Sequence, residues 1–345
     1  MPVVKRENRL RKIWTGAVPD HAVAAKWSPD GKRLAVAAVS GPITIFETAT
    51  GNALVALSGH GFGTAAIDWH PAGQFLASAG QDGKARLWNA STGQEAAVLA
   101  GGAGWVERLA WSNDGKILAT AAGKKVRLWD TAGTMLREYA NHAATISDLA
   151  WRPRSQTLAV SAYGGVTLYD PALPEPIKVL AWKGAPLAMA WSPNGEVLAH
   201  GNQDATVHFW YADDAEDLQM SGFSTKVRDL SWEYSSRYLA TGGNAAVCIW
   251  DCGGDGPAGT KPLLIAEESD KLPITALAWQ RRGFLIASGH PSGTVRVWQP
   301  ANKKSPLVGQ DRASVSEVST LAWSPDDKSL AVASGTGTVS VYKIT

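Results

Sequence analysis

A chain of 345 residues is longer than one simple hydrophobic core usually serves, so it must hold several domains or a repeat array. Its 33 basic and 31 acidic residues leave a formal charge of +2, no bulk field for nucleic acid or anionic lipid. Apolar residues make up 45% of the chain, no apolar run approaches the length of a membrane span, and the basic N-terminus MPVVKRENRLRK lacks the apolar segment of a secretory signal.

In chain order, the first strand-like run is LRKIWTG, residues 10–16. Eight tryptophans then end an apolar run and begin a turn: Trp27, Trp69, Trp111, Trp151, Trp191, Trp232, Trp279 and Trp323. They are spaced 42, 42, 40, 40, 41, 47 and 44 residues apart, and such a period marks a repeat fold. Trp27 opens WSPDGKRLAV, Trp111 WSNDGKILAT, Trp191 WSPNGEVLAH and Trp323 WSPDDKSLAV. The second unit shows the grammar. Strand-like runs at 64–69, 74–80, 84–90 and 95–101 are separated by HPAG, QDG and STG, the residue types that turn a chain. No stretch carries a helical period, so each unit reads as four antiparallel strands. A second aromatic column, Phe46, Trp88, Trp129, Tyr169, Trp210, Trp250, Trp298 and Tyr342, falls on the third strand of every unit. Both columns are expected to be buried.

Trp129-Asp130 and Trp250-Asp251 are WD dipeptides. With the period and the SPDG turns, they make the chain resemble the WD40-repeat β-propeller family over residues 10–345. The expected fold is all-β, a single-domain eight-bladed β-propeller with repeats near 17–59, 60–101, 102–141, 142–181, 182–222, 223–269, 270–313 and 314–345. The eighth unit runs only to its third strand, TVSVYKIT, so residues 10–16 should complete that blade and close the ring.

The resemblance also implies a structural hydrogen-bond network, complete in unit 2 as His60, Ser78, Asp82 and Trp88. It looks like a catalytic triad, but the family uses it architecturally, and a buried carboxylate needs such donors. Elsewhere the histidine position holds Val18, Gly102, His142, Trp182, Phe223, Asp270 and Ser314, an exchange of polar networks for packing. Trp182 and Phe223 therefore read as packing residues.

Binding residues should be those that the repeat does not require. The family uses the face carrying the fourth-to-first and second-to-third strand loops. Six residues before each repeat tryptophan stand His21, Gly63, Trp105, Thr145, Ala185, Lys226, Pro273 and Glu317; four before it stand Val23, Ala65, Glu107, Ser147, Leu187, Arg228, Thr275 and Ser319. Trp105 fills no column, so it is either an interface anchor or packs across a neighbouring loop. With Glu107, Tyr163, Lys226, Arg228 and His290 it outlines a candidate partner-binding rim.

Enzyme motifs are lacking: no G-x-S-x-G, H-E-x-x-H, P-loop or EF-hand string occurs, and GHGFG at 59–63 leads into a strand rather than a helix. DDAED at 213–217 reads as a solvated turn, and the basic arm at 5–12 as a frayed terminus. Cys248 and Cys252 could offer two thiolates to a soft metal, but no further ligands stand nearby, so no metal or other cofactor is expected. Two cysteines without a disulfide pattern suit a cytoplasmic protein, and the Ala-rich, Lys-modest composition suggests a bacterial source. The expectation is a non-enzymatic, monomeric scaffold for a protein or peptide partner, with no nucleic acid or membrane. The alternative is a small-molecule or metal-binding propeller with its site at the channel mouth. Glu107, Arg108, Asp148, Arg228 and Asp229 on the inner strands are scattered over three units, which argues against catalysis.

Overall fold

In a computed structural model that describes residues 8–345 apart from 103, 141, 255 and 268–270, every regular element is a β-strand. Eight four-stranded antiparallel sheets form, each a meander from an inner first strand to an outer fourth. In blade 2 the strands are Thr64–Trp69, Phe75–Gly80, Lys84–Asn89 and Glu95–Ala100, within a residue of the expected bounds. The first strand of each blade touches the first strands of both neighbours, and Ala22–Trp27 meets Val318–Trp323 to complete the circle. Leu10–Ala17 pairs antiparallel with Thr338–Ile344, so the chain's own start supplies the outer strand of blade 8. Closure packs the last blade against the first, face to face.

The recurring turn explains the repeated sequence. In blade 3 the Ser112 hydroxyl donates to Asp114 Oδ1 at 2.8 Å, which also accepts Lys116 N at 3.1 Å. The next residue, Gly115, has φ of 72°, a left-handed conformation that a Cβ disfavours. Blade 8 puts Asp327 there at φ 59°, and its carboxylate accepts the backbone N–H groups of Arg281 and Arg282 in blade 7 at 2.6 and 2.7 Å. Aspartate tolerates the left-handed region better than most residues, and here it ties two blades together.

The hydrophobic core is eight separate clusters, one between each pair of adjacent blades, since a lone four-stranded sheet cannot cover its own faces. Between blades 1 and 2, Ile43, Ile45 and Leu57 pack on Ile67, Trp69 and Trp88. Trp14, from the closing strand, packs on Phe46 at a centroid distance of 5.6 Å between blades 8 and 1. The third-strand aromatic column is buried in every blade, as are seven of the eight repeat tryptophans; Trp27 is half-buried. Six repeat indoles donate to a carbonyl of the preceding blade, for example Trp69 to Lys26 at 2.9 Å and Trp323 to Ala278 at 3.0 Å. Trp111 and Trp279 are the exceptions, each with a buried indole N–H that has no partner. In both, the tryptophan's backbone N–H is taken instead by a side chain of the preceding blade, Asp68 Oδ2 at 3.1 Å and Ser231 Oγ at 2.9 Å.

Candidate functional site

The fourth-to-first and second-to-third loops share one end of every meander and form one face of the ring. Trp105 lies on that face with 55% of its surface exposed, and Tyr163 on the neighbouring blade with 57% exposed. Neither ring fills a cluster between blades, so both stand free for contact. Glu107 is half-buried at the start of the first strand of blade 3, and Lys226 and Arg228 are exposed at blade 6. These last two meet His21, Asp229, Thr275, Glu317 and Ser319 around a cavity of about 540 Å³ at the channel mouth. Six of the positions that precede the repeat tryptophans, drawn from blades 1, 6, 7 and 8, thus converge on one opening. His21 Nδ1 lies 3.9 Å from Glu317 Oε1, whereas Lys226 and Arg228 form no ion pair among the described residues. Burial pushes the Asp229 carboxyl up to about 7, against the opposing pull of Arg228.

His290 does not join the exposed rim. It is 4% exposed, its Nε2 lies 3.0 Å from Ser288 Oγ, and Arg296 Nη1 approaches that nitrogen at 3.1 Å. Ser288 also accepts the Trp298 indole N–H at 2.8 Å. Blade 7 therefore builds a Trp–Ser–His network with a histidine from its own second-to-third turn. Alternate strand residues face the same side, so a histidine two places after the serine can fold back onto it. Asp270, at this blade's usual histidine position, lies outside the described residues, as do Lys5 and Arg6 of the basic arm.

Blade 2 holds the four-residue network. His60 Nε2 is 2.7 Å from Ser78 Oγ, Trp88 Nε1 donates to the same hydroxyl at 2.8 Å, and His60 Nδ1 is 2.9 Å from Asp82 Oδ1. Arg86 Nη1 adds 2.7 Å to Asp82 Oδ2. Burial alone would raise the Asp82 carboxyl, but the bonds from His60 and Arg86 hold it below its ordinary value. Burial lowers His60, with Asp82 opposing. The quartet has little room for a substrate: His60 and Ser78 are buried, and each polar group is already partnered.

Blade 5 keeps more polarity than an exchange for aromatic packing predicts. Trp210 Nε1 donates to His200 Nε2 at 3.1 Å, His200 Nδ1 meets Asn202 Oδ1 at 2.8 Å, and Asn202 donates to Thr206 at 3.0 Å. Thr206 then donates to Asp204 at 2.7 Å. Trp182 lies tilted against buried His208 at 3.9 Å and so packs, as expected, while His208 Nε2 is 2.9 Å from Asp217 Oδ2. Phe223 is likewise buried, beside Trp250.

Two inner-strand groups escaped the sequence reading: Lys26 and Asp68, which share a channel cavity of about 400 Å³ with Arg108 and Asp148. Asp68 accepts the Trp111 backbone N–H, and Asp148 accepts that of Met189 at 2.8 Å, so both acids stitch one blade to the next. Burial raises both carboxyls. Alternation along the first strand points one residue before, and three before, each repeat tryptophan into the channel; that rule could have found them. Cys248 is buried and Cys252 half-buried; burial raises both thiols, Cys252 to about 12, which makes thiolate chemistry costly. Among the described residues no group of three metal-ligating side chains occurs, and no helix is long and apolar enough to cross a membrane.

The geometry defines a closed eight-bladed propeller. Residues 21–256 match the sequence profile of the IFT122 first beta-propeller, and residues 263–299 and 307–343 each match the WD domain, G-beta repeat. The chain belongs to the WD40-repeat β-propeller family. It is 28% identical over 113 residues to small ribosomal subunit protein RACK1y of Oryza sativa subsp. japonica, covering 32% of this chain and 34% of that one. With the B-type cell cycle switch protein ccs52A of Medicago truncatula it shares 27% over 214 residues, covering 59% of this chain and 42% of the relative. With the target of rapamycin complex subunit wat1 of Schizosaccharomyces pombe it shares 26% over 226 residues, 63% of this chain and 70% of the relative. The chain thus matches less than half the length of the first two. All three are eukaryotic and lend no support to a bacterial source. The crystal structure of the computationally designed Ika8 protein superposes with a TM-score of 0.82 at 22% identity, covering 97% of this chain and all of that one, a likeness of fold alone.

Proposed function

We propose that the chain works as a single-domain, non-enzymatic interaction scaffold that presents its rim and channel mouth to a protein or peptide partner. The observation that carries this reading is the pair of exposed rings, Trp105 and Tyr163, on the face that also opens between Lys226 and Arg228. The fold does not need either aromatic there, and exposed rings backed by a rigid strand lose little freedom on binding. Two relatives, a ribosomal subunit protein and a subunit of the target of rapamycin complex, are by name assembly components, which supports the same reading. One copy suffices to close the ring, the proposed scaffold needs no second copy for its fold, and its free thiols suit a reducing compartment such as the cytoplasm. The cavity of about 540 Å³ favours a second reading, a small ligand held at the channel mouth.

The test is affinity capture with the wild type beside Trp105→Ala, followed by titration of the identified partner. The expected result is at least about tenfold weaker binding to the variant with an unchanged melting temperature. Equal affinities would remove the rim from the reading, and a thermal-shift response to metabolites or metals alone would favour the small ligand.

A further inference from the structure

The opposite face of the ring carries the first-to-second turns and the third-to-fourth loops, and one of its positions breaks the repeat. Five residues after the repeat tryptophan, seven blades have a polar residue: Lys32, Gln74, Lys116, Gln156, Glu196, Arg237 and Lys328. Blade 7 alone has an aromatic, Phe284, and it is 52% exposed. Its ring meets Tyr234, another exposed aromatic, edge-on at 5.0 Å. Tyr234 itself stands in a turn where five other blades have proline.

Phe284 is one wall of a cleft of about 430 Å³ between blades 6 and 7. Tyr238, Ile249, Leu263 and Trp279 supply its apolar lining, and Lys261 and Lys303 stand at its edge. The acid that lines the cleft, Asp251, is already held by Arg237 through two bonds of 2.8 and 2.9 Å. The two lysines form no ion pair among the described residues, so the opening is apolar inside and cationic outside. A volume in the range of roughly 300–1,000 Å³ takes a small ligand or a bulky side chain with its flanking backbone.

We infer that this cleft is a second docking site, for a peptide segment of a partner protein that inserts one aromatic or large aliphatic side chain and sets carboxylates against Lys261 and Lys303. The exposed Phe284 replaces a solvated residue at a cost in water contact that the blade itself does not require. The uncompensated lysines select acidic neighbours and speed their approach. A ligand here leaves the rim free, so one propeller would hold two partners on opposite faces.

The test is selection of random dodecapeptides, displayed on phage, against the immobilised full chain. Phe284→Gln, which installs the residue type of blades 2 and 4, and Lys303→Glu serve as controls. Peptides with a bulky apolar residue and Asp or Glu within two positions should be enriched. Synthetic copies should bind Phe284→Gln about tenfold or more weakly and Lys303→Glu about threefold weakly, with Trp105→Ala unchanged. A thermal melt of Phe284→Gln matching wild type shows that the loss is local. Failure to enrich this pattern, or binding to Phe284→Gln within twofold of wild type, overturns the inference. A wild-type dimer in sedimentation that Phe284→Gln abolishes would also overturn it, because the occupant would then be a second copy of the chain. Trp105→Ala separates this result from the fate of the rim.

Discussion

Blades 2 and 5 solve the same problem with different atoms. Each must satisfy a buried third-strand indole N–H and anchor the inner and outer strands to each other. Blade 2 uses a serine hydroxyl that serves two partners at once, Trp88 and His60, and backs the histidine with Asp82. Blade 5 places His200 where the serine would be and runs the chain of bonds through Asn202 and Thr206 to Asp204 in the turn. The histidine position is then free for Trp182, which packs against His208. Blade 7 offers a third solution, with Ser288 kept and His290 brought from the turn. Wherever the third strand carries a tryptophan, in blades 2, 3, 5, 6 and 7, the requirement is therefore a partnered indole, not a fixed set of residues.

The sharpest way to break the comparison is Ser78→Ala. It leaves both the Trp88 N–H and His60 Nε2 without their partner in a dry site, and should cost about 3 kcal/mol in chemical denaturation. A loss under about 1 kcal/mol would mean that the indole and imidazole find other partners.

Acid should separate the two blades next. Burial lowers His200 to about 4 from an ordinary 6.5, with Asn202 opposing. A lowered histidine favours the fold at high pH, so stability should fall as pH drops from about 6.5 towards 4. The change should be about 2 kcal/mol. His60 and His208 are lowered too and add in the same sense. His200→Ser, which restores the residue type of blade 2, should flatten part of the decline in melting temperature. An unchanged slope would show that His200 is not its source.

The smallest effect concerns carboxylates. Asp82 has donors and is lowered, whereas Asp229 is raised to about 7 by burial. A raised carboxyl weakens the fold as pH climbs from its ordinary value through about 7. Asp229 is only half-buried at the open channel mouth, where solvent screens most of this shift, so Asp229→Asn should stabilise the protein at pH 8 by about 1 kcal/mol and have no effect near pH 4. Melting curves at the two values decide it; equal shifts at both would assign the gain to packing.

Much of this molecule is legible in its sequence. The tryptophan spacing gave the blade count, the third-strand aromatics gave the register, and LRKIWTG announced ring closure, because each is written repeatedly and locally. The rim was partly legible: Trp105 and Tyr163 stood out as unrequired aromatics, and both are exposed. His290 also stood out, but its turn carries the ring inward onto Ser288, a choice between two directions that residue type does not encode. Phe284 escaped the sequence reading although it breaks a polar column, and its meaning depends on Leu263, Trp279 and Lys303, which are near it only after blades 6 and 7 pack.

What the sequence by itself determined is the period, and through it the strands, the turns and the number of blades, since these follow from alternation and turn chemistry over a few residues. What only the tertiary structure decided is where polar and exposed groups meet. Lys226 with His21 and Phe284 with Lys261 come from different blades, and the distance between them is set by how eight sheets close into a ring rather than by any local pattern.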